Sequence, residues 1–190
     1  MAINRPIIVS MTSWKDRIQY VSRSIFQMHT QTIKPLKIYL TLSIDEFPNK
    51  EQDLPQDLVL LHNALPEFTI KWVKENTKAF KKLIPVLHEY INDNVWILTI
   101  DDDVFYAKNY IEFIITQAEL HFGSVINPRM AGNWLHGAFG CYHPLYFKDK
   151  SIFKITPREM IEFVEDDKWY SACYHKNNIK DIKKINIIII

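Results

Sequence analysis

Residues 94–103 read NVWILTIDDD, an apolar segment that ends in three consecutive aspartates. The apolar part is short and has polar neighbours on both sides, a pattern typical of a strand that is buried on both faces. Three adjacent carboxylates repel one another unless a positive charge lies among them, and hard divalent cations prefer carboxylate oxygens. The segment therefore predicts the central strand of a sheet with a charged site at its end.

The rest of the chain alternates between strand and helix patterns. Apolar, β-branched runs predict further strands over residues 6–11, 37–42 and 69–73. Helical spacing of apolar residues predicts helices over residues 13–29, 78–91 and 109–120, and residues 45–57 are predicted to be a loop or a short helix. This order predicts an α/β fold, with a mainly parallel sheet flanked by helices on both faces in three layers. In such sheets, ligands bind at the carboxyl ends of the strands, where the strand order reverses.

Composition excludes several functional classes. Only four of the 190 residues are glycine and none lies in the first 122, whereas ordinary usage would give roughly 13 in all. A glycine-rich phosphate loop is therefore excluded from that part of the chain. With 23 basic and 22 acidic residues, the net charge is +1, which gives no reason to expect nucleic acid as a partner.

The apolar runs are too short for a signal peptide or a membrane-spanning helix. We therefore expect a cytoplasmic protein that contacts the inner face of a membrane peripherally at most. The cysteines, Cys141 and Cys173, match no zinc or redox spacing and are expected to be reduced thiols.

The aspartate triad is the strongest candidate site. Residues i and i+2 of an extended segment point the same way, so Asp101 and Asp103 are candidate ligands for one divalent cation while Asp102 points elsewhere. The alternative is a solvated acidic turn that caps the next helix. The position directly after an apolar strand favours the cation site.

This segment resembles the DXD motif of GT-A-fold glycosyltransferases, in which the motif holds Mn²⁺ or Mg²⁺ against the diphosphate of a nucleotide-sugar. Other segments resemble the same family in the same order: IIVSMTSWKDR (7–17), YLTLSIDEFP (39–48), KAFKKLIPVL (78–87), GNWLHGAFGCYHP (132–144) and VEDDKWYSA (164–172). The separations are similar to those of bacterial family 2-like enzymes of surface-polysaccharide biosynthesis. The resemblance implies one GT-A (Rossmann-like) domain over residues 1–190, with a donor-binding half over about 6–105 and an acceptor and catalytic half over about 106–175.

The resemblance also implies roles for individual residues. Nucleotide-sugar contacts are expected from Thr12, Ser13, Arg17, Lys82, Asp101 and Asp102. The metal ligands would be Asp101 and Asp103, and the catalytic base would be Asp167, with Asp166 as the second choice. Acceptor or sugar contacts are expected from Trp134, His136, Gly137 and Gly140. Purely structural roles stay open for several of these residues: Ser13 is also a good helix N-cap, and Trp134 also fits a core position.

The activity implied by the resemblance is transfer of a sugar from a nucleotide-sugar to a hydroxyl of a saccharide or a lipid-linked saccharide. UDP is the default nucleotide, and inversion by a single displacement is the expected course. A non-catalytic nucleotide-sugar-binding or carbohydrate-binding domain is one alternative, because the isoleucines at 187–190 predict an edge strand or a truncated end. A metal-dependent phosphohydrolase is the other, but its usual motif has Thr or Val where Phe105 stands.

Overall fold

The strands and helices alternate along the first two thirds of the chain. The computed structural model describes residues 5–127, 130–131, 134–135, 140–162, 164–179 and 182–184. Its strands are β1 Ile7–Thr12, β2 Lys37–Ser43, β3 Phe68–Val73, β4 Trp96–Thr99, β5 Val125–Asn127, β6 Met130–Ala131, β7 Trp134–Leu135, β8 Cys141–Tyr142 and β9 Ile182–Lys184. Its α-helices are α1 Val21–His29, α2 Gln56–Ala64, α3 Ile84–Tyr90, α4 Tyr110–Leu120, α5 Pro157–Glu162 and α6 Asp166–Lys176. Short 3-10 helices occupy Ile18–Tyr20, Lys50–Asp53, Lys78–Lys82, Pro144–Phe147 and Ser151–Lys154.

A seven-stranded, mostly parallel sheet has the order β3-β2-β1-β4-β8-β5-β9, and β6 and β7 form a separate pair. Strand β1 pairs in parallel with β2 on one side and with β4 on the other, while β8 runs antiparallel to β4 and β5. The chain moves outward from β1 through β2 to β3 and then returns to the other side of β1 as β4. The strand order therefore reverses between β1 and β4, and a ligand crevice is expected at their carboxyl ends.

The core lies on both faces of the central strands. Ile8 and Val9 of β1 and Ile97 and Leu98 of β4 are completely buried. Because successive residues of a strand point to opposite faces, complete burial of neighbours requires cover on both sides, which the helices supply. The prediction of an α/β fold with a mainly parallel sheet between layers of helices is confirmed.

The helices differ from their predicted bounds. The segment predicted as one helix over residues 13–29 becomes a 3-10 turn and then α1, which begins only at Val21. The segment predicted as one helix over residues 78–91 is likewise a 3-10 helix followed by α3, with Pro85 in its first turn. Proline has no amide hydrogen to donate, so it is accepted in the first turn of a helix but not in the interior, which explains why a new helix begins at Ile84. Helix α2 lies mostly beyond the predicted loop; Pro55 precedes it, and its Leu58 is buried.

Cys141 and Cys173 are buried free thiols, as the sequence predicts for a reduced protein. Burial raises the pKa of the Cys173 thiol to about 11, so this sulfur is protonated at neutral pH. Among the helices of the described ranges, none combines the length and apolar character that a membrane crossing needs.

Candidate functional site

The aspartate triad lies where β4 leaves the sheet, beside the end of β1. The Ile100 amide donates a hydrogen bond to the Ser10 carbonyl (3.0 Å), which continues the pairing of β4 with β1 up to the triad. The Asp101 amide then donates to the buried Tyr106 hydroxyl (2.7 Å). These backbone contacts hold the start of the triad at the point where the strand order reverses.

The middle aspartate is turned into the protein. Asp102 is only 2% exposed, and its carboxylate accepts hydrogen bonds from the Ser13 hydroxyl (2.5 Å) and from the Arg17 guanidinium. Arg17 also lies 3.2 Å from a carboxylate oxygen of Asp103. The residues after β1 and those after β4 are therefore joined by one charged network. This position favours a structural role for Asp102, whose predicted contact with a nucleotide-sugar stays a prediction.

The 3-10 helix Lys78–Lys82 supplies three lysines with different partners. The Lys82 ammonium contacts the Asp101 carboxylate, while its carbonyl accepts a hydrogen bond from the Ser10 hydroxyl (2.5 Å). Lys81 is buried and donates to Glu46 (2.8 Å) and Asn76 (2.6 Å). Burial lowers the pKa of Lys81, although the contact with Glu46 opposes this effect.

A cavity of about 300 Å³ opens over the ends of these elements. Its lining includes all six residues that the sequence assigns to the nucleotide-sugar and the neighbouring lysines Lys78 and Lys81, together with residues that were not predicted: Trp14, Glu46, Asn76 and Ala79. Glu46 follows β2 and Asn76 follows β3. Because ligands of such sheets bind at the carboxyl ends of the strands, both residues could have been predicted from their positions shortly after predicted strands. The first cavity therefore brings together the ends of the four parallel strands β1 to β4.

The donor set fits a divalent cation that is shared with phosphate groups. Asp101 lines the first cavity, and the Asp103 side chain is 53% exposed. In the part of the chain that the structure describes, no group of three His, Cys, Asp or Glu side chains is arranged to enclose a metal. Mg²⁺ at phosphate sites commonly takes only one or two protein carboxylates and completes its shell with water and phosphate oxygens. Asp101 can supply one such carboxylate, whereas Asp103 is not among the described lining residues of the first cavity, so a cation shared by Asp101 and Asp103 stays a prediction.

A second cavity of about 400 Å³ lies beside the first and shares Lys78 and Ala79 with it. Lys78 lines both cavities, and its ammonium donates a hydrogen bond to the Ile161 carbonyl of α5 in the lining of the second (2.6 Å). Asp166, the first residue of α6, lines this second cavity. The two cavities thus place the acidic start of α6 next to the lysine-bearing 3-10 helix.

The two candidate bases differ in their surroundings. Burial, and then the negative charge of Asp167, raise the pKa of Asp166 from 3.8 to about 6, while Lys82 acts in the opposite direction. Asp101 also contributes to this increase, so Asp166 is within electrostatic reach of the triad. Among the described lining residues of the two cavities, Asp166 is present and Asp167 is not.

The predicted acceptor segment is described only in part. His136 and Gly137 lie outside the described residues, and Trp134 belongs to β7, with its side chain outside the described part. Gly140 is buried beside β4, where its carbonyl accepts a hydrogen bond from the Thr99 amide (2.9 Å). A Cβ atom at Gly140 would lie 1.9 Å from the Tyr142 hydroxyl. Packing against Tyr142 is therefore sufficient to explain this glycine, and its sugar contact stays a prediction.

Comparisons with known proteins identify the fold. No family model matches the chain, and no curated protein matches it in sequence. A solved structure of the mannosyltransferase PcManGT from Pyrobaculum calidifontis, in complex with GDP-Man and Mn²⁺, superposes with a TM-score of 0.66 at 11% identity over 96% of this chain. S. aureus TarS in complex with UDP superposes with a TM-score of 0.62 at 10% identity over 89%. The chain spans 55% of the length of each, and its fold is the Rossmann-like fold of these glycosyltransferases.

Proposed function

We propose that this protein is a metal-dependent glycosyltransferase that moves a sugar from a nucleotide-sugar to a hydroxyl of a saccharide or a lipid-linked saccharide. The observation that carries the proposal is the pair of adjoining cavities at the reversal of strand order. The first is lined by Asp101 and Lys82, and the second by Asp166. A donor diphosphate in one and an acceptor hydroxyl in the other would meet across the shared residues Lys78 and Ala79.

The first cavity is suited to the donor. Thr12, Ser13 and Trp14 line the side next to β1, where the nucleoside is proposed to bind. Lys82 would meet the diphosphate as a point charge. Asp101 and Asp103 would hold Mn²⁺ or Mg²⁺, which when bound supplies a Lewis acid for the negative charge on the leaving diphosphate.

The second cavity is suited to the acceptor, and its geometry favours Asp166 over Asp167 as the base. A hydroxyl is a poor nucleophile and needs a carboxylate within hydrogen-bond reach to take its proton. With a pKa near 6, the Asp166 carboxylate is ionised at neutral pH but is a stronger base than an ordinary aspartate. A base on the side opposite the leaving group leads to inversion of the anomeric carbon by a single displacement.

The two solved structures guide the choice of nucleotide and of cellular role. One is bound to GDP-Man and Mn²⁺, and the other to UDP. We infer that UDP and GDP are the nucleotides to test first. Together with the motif order, the fold supports a role in bacterial surface-polysaccharide synthesis at the cytoplasmic face of the membrane.

Calorimetry tests the donor site directly. UDP and GDP are titrated with Mn²⁺ into the wild-type protein and into Asp101→Asn. The matched control is Asp93→Asn, because Asp93 is exposed and precedes β4 at the other end of the strand. We expect binding of at least one nucleotide to the wild type and the control and a loss of at least about tenfold in Asp101→Asn. If neither nucleotide binds the wild type, the proposed function is wrong.

Hydrolysis of UDP-sugars and GDP-sugars tests the assignment of the base. The reaction should fall by at least about 100-fold in Asp166→Asn, which is the range for loss of a general base. Asp167→Asn is the matched variant and should lose much less. The reverse order would assign the base to Asp167, and nucleotide binding without hydrolysis in the wild type would indicate a binding domain without catalysis.

A further inference from the structure

Lys82 is held in place at both its backbone and its side chain. It is 6% exposed, its carbonyl accepts a hydrogen bond from the Ser10 hydroxyl, and its ammonium contacts Oδ1 of Asp101. Ser10 lies on β1, and Asp101 follows β4. The lysine therefore occupies the crevice between the two strands. Its ammonium contacts a carboxylate that is a proposed ligand of the metal ion.

The neighbouring lysines do not compete with Lys82 for this position. Lys81 is committed to Glu46 and Asn76, and Lys78 donates to the Ile161 carbonyl. Among the described contacts of this 3-10 helix, the ammonium on Asp101 is that of Lys82. If another cation binds to Asp101, the lysine that loses its partner is therefore Lys82.

An ammonium and a divalent cation on one carboxylate repel each other, and in a partly buried site the surrounding water screens the repulsion only weakly. Asp101 has two oxygens a little over 2 Å apart, so cations on both of them would be close neighbours. Binding of a cation at Asp101 thus favours movement of the Lys82 ammonium away from this carboxylate. The proposed donor would bring the nearest new anion, its diphosphate, into the same cavity.

We propose that Lys82 and the divalent cation compete for Asp101, and that Lys82 is transferred to the diphosphate when cation and nucleotide bind together. This inference rests on the proposed function and describes how its site is regulated. Without nucleotide, Lys82 keeps Asp101 neutralised and the cation binds weakly. With nucleotide, the displaced ammonium gains an anionic partner, so that each ligand strengthens the binding of the other.

Mn²⁺ titration monitored by electron paramagnetic resonance tests the competition without any turnover. Lys82→Met removes the charge and keeps a side chain of similar length. In the absence of nucleotide, we expect this variant to bind Mn²⁺ about tenfold more tightly than the wild type, which corresponds to about 1.4 kcal/mol. With saturating Mn²⁺, it should bind UDP or GDP about tenfold more weakly. These changes of opposite sign distinguish competition from general damage, which weakens both.

Two further variants keep the test decisive. Lys82→Arg retains the positive charge and should keep the weak Mn²⁺ binding of the wild type. Lys71→Met removes an ammonium of β3 that contacts Glu89 of α3 (2.6 Å), and it should change neither affinity. Circular dichroism checks that each variant is folded.

Unchanged or weaker Mn²⁺ binding by folded Lys82→Met, without nucleotide, would overturn the competition. This result would leave the proposed function intact if the wild type binds nucleotide with Mn²⁺. If Lys82→Met does not fold, unchanged Mn²⁺ affinity in a folded Lys82→Arg supports the inference, whereas tighter binding overturns it. If the wild type binds no nucleotide at all, the proposed function fails and the inference fails with it.

Discussion

Gly140→Ala should be one of the most destabilising single-methyl changes in this protein. The added Cβ would lie 1.9, 2.0 and 2.4 Å from the Oη, Cζ and Cε2 atoms of Tyr142. Tyr142 is completely buried, and its ring stacks on Tyr174 at 5.8 Å between centroids. The backbone of Gly140 is equally constrained, because its amide donates to the Thr99 hydroxyl (3.0 Å). Neither side has room to move, which predicts a loss of about 3 kcal/mol, the upper end for overpacked cores.

Urea and thermal unfolding measure this loss. For a domain of this size, each kcal/mol lowers the melting temperature by about 2–4 °C, so that Gly140→Ala should melt about 6–12 °C below the wild type. Tyr142→Leu removes the atoms that clash. The double variant should therefore lose at least about 1 kcal/mol less than the sum of the two single variants, which is the sign of residues in contact.

Gly123→Ala is the matched control. Among the described residues, no atom lies within 4 Å of the Cβ that it would add, but its φ is +99°, so the expected loss is about 1 kcal/mol of backbone strain. This loss should add independently to that of Tyr142→Leu. A Gly140→Ala protein within about 0.5 kcal/mol of the wild type would refute the packing argument. If nucleotide or sugar binding fell while stability stayed unchanged, close approach of a ligand would explain the glycine instead.

Two further predictions concern carboxylates of the site. Asp102→Asn should lose about 2 kcal/mol of unfolding free energy, because Arg17 loses a charged hydrogen-bond partner. Asp103→Asn changes an exposed ion pair and should lose less than about 1 kcal/mol of unfolding free energy. Equal losses for the two variants in urea unfolding would contradict the buried network around Asp102. Asp166→Asn should stabilise the protein more at pH 8 than at pH 4. The folded pKa of Asp166 is about 6 against 3.8 for the free side chain, so the unfolded state holds fewer protons between these values and stability falls as pH rises through them. A gain that is the same at both pH values would contradict the raised pKa.

The sequence predicted the strands better than the helices. Strands β1 to β4 lie within one or two residues of their predicted bounds, because short runs rich in apolar and β-branched residues have few alternatives to burial in a parallel sheet. Helix α1 begins eight residues after the start of its predicted segment, at Val21. Ser13 does not cap the following 3-10 helix, whose N-cap is Arg17, and its contact with a nucleotide stays a prediction. The Ser13 hydroxyl donates to Asp102, 89 residues away in sequence. A local pattern cannot reveal a partner at that distance.

Only part of the candidate site was predicted, because some of its residues meet only through contacts between segments that are distant in sequence. Strand exits were identifiable, and the predicted donor residues line one cavity. Trp14 and Glu46 were missed although they lie in segments that resemble the family, because the resemblance assigned roles to neighbouring residues instead, and Asn76 lies outside those segments. The ends of different strands bring these residues together. The order of Asp166 and Asp167 along the chain gives no sign of which of them lines the second cavity.

By itself, the sequence determined the alternation of strands and helices, the central position of β4 and the placement of three aspartates at its end. These follow from local periodicity and from the cost of exposing apolar residues. Only the tertiary structure decided which cation neutralises which aspartate. Arg17 holds Asp102 and Asp103, Lys82 holds Asp101, and each of these pairs joins segments that are distant in sequence. Because electrostatic interactions depend on distance and burial in space, the partners of the triad became known only when β1, β4 and the lysine-bearing 3-10 helix were placed side by side.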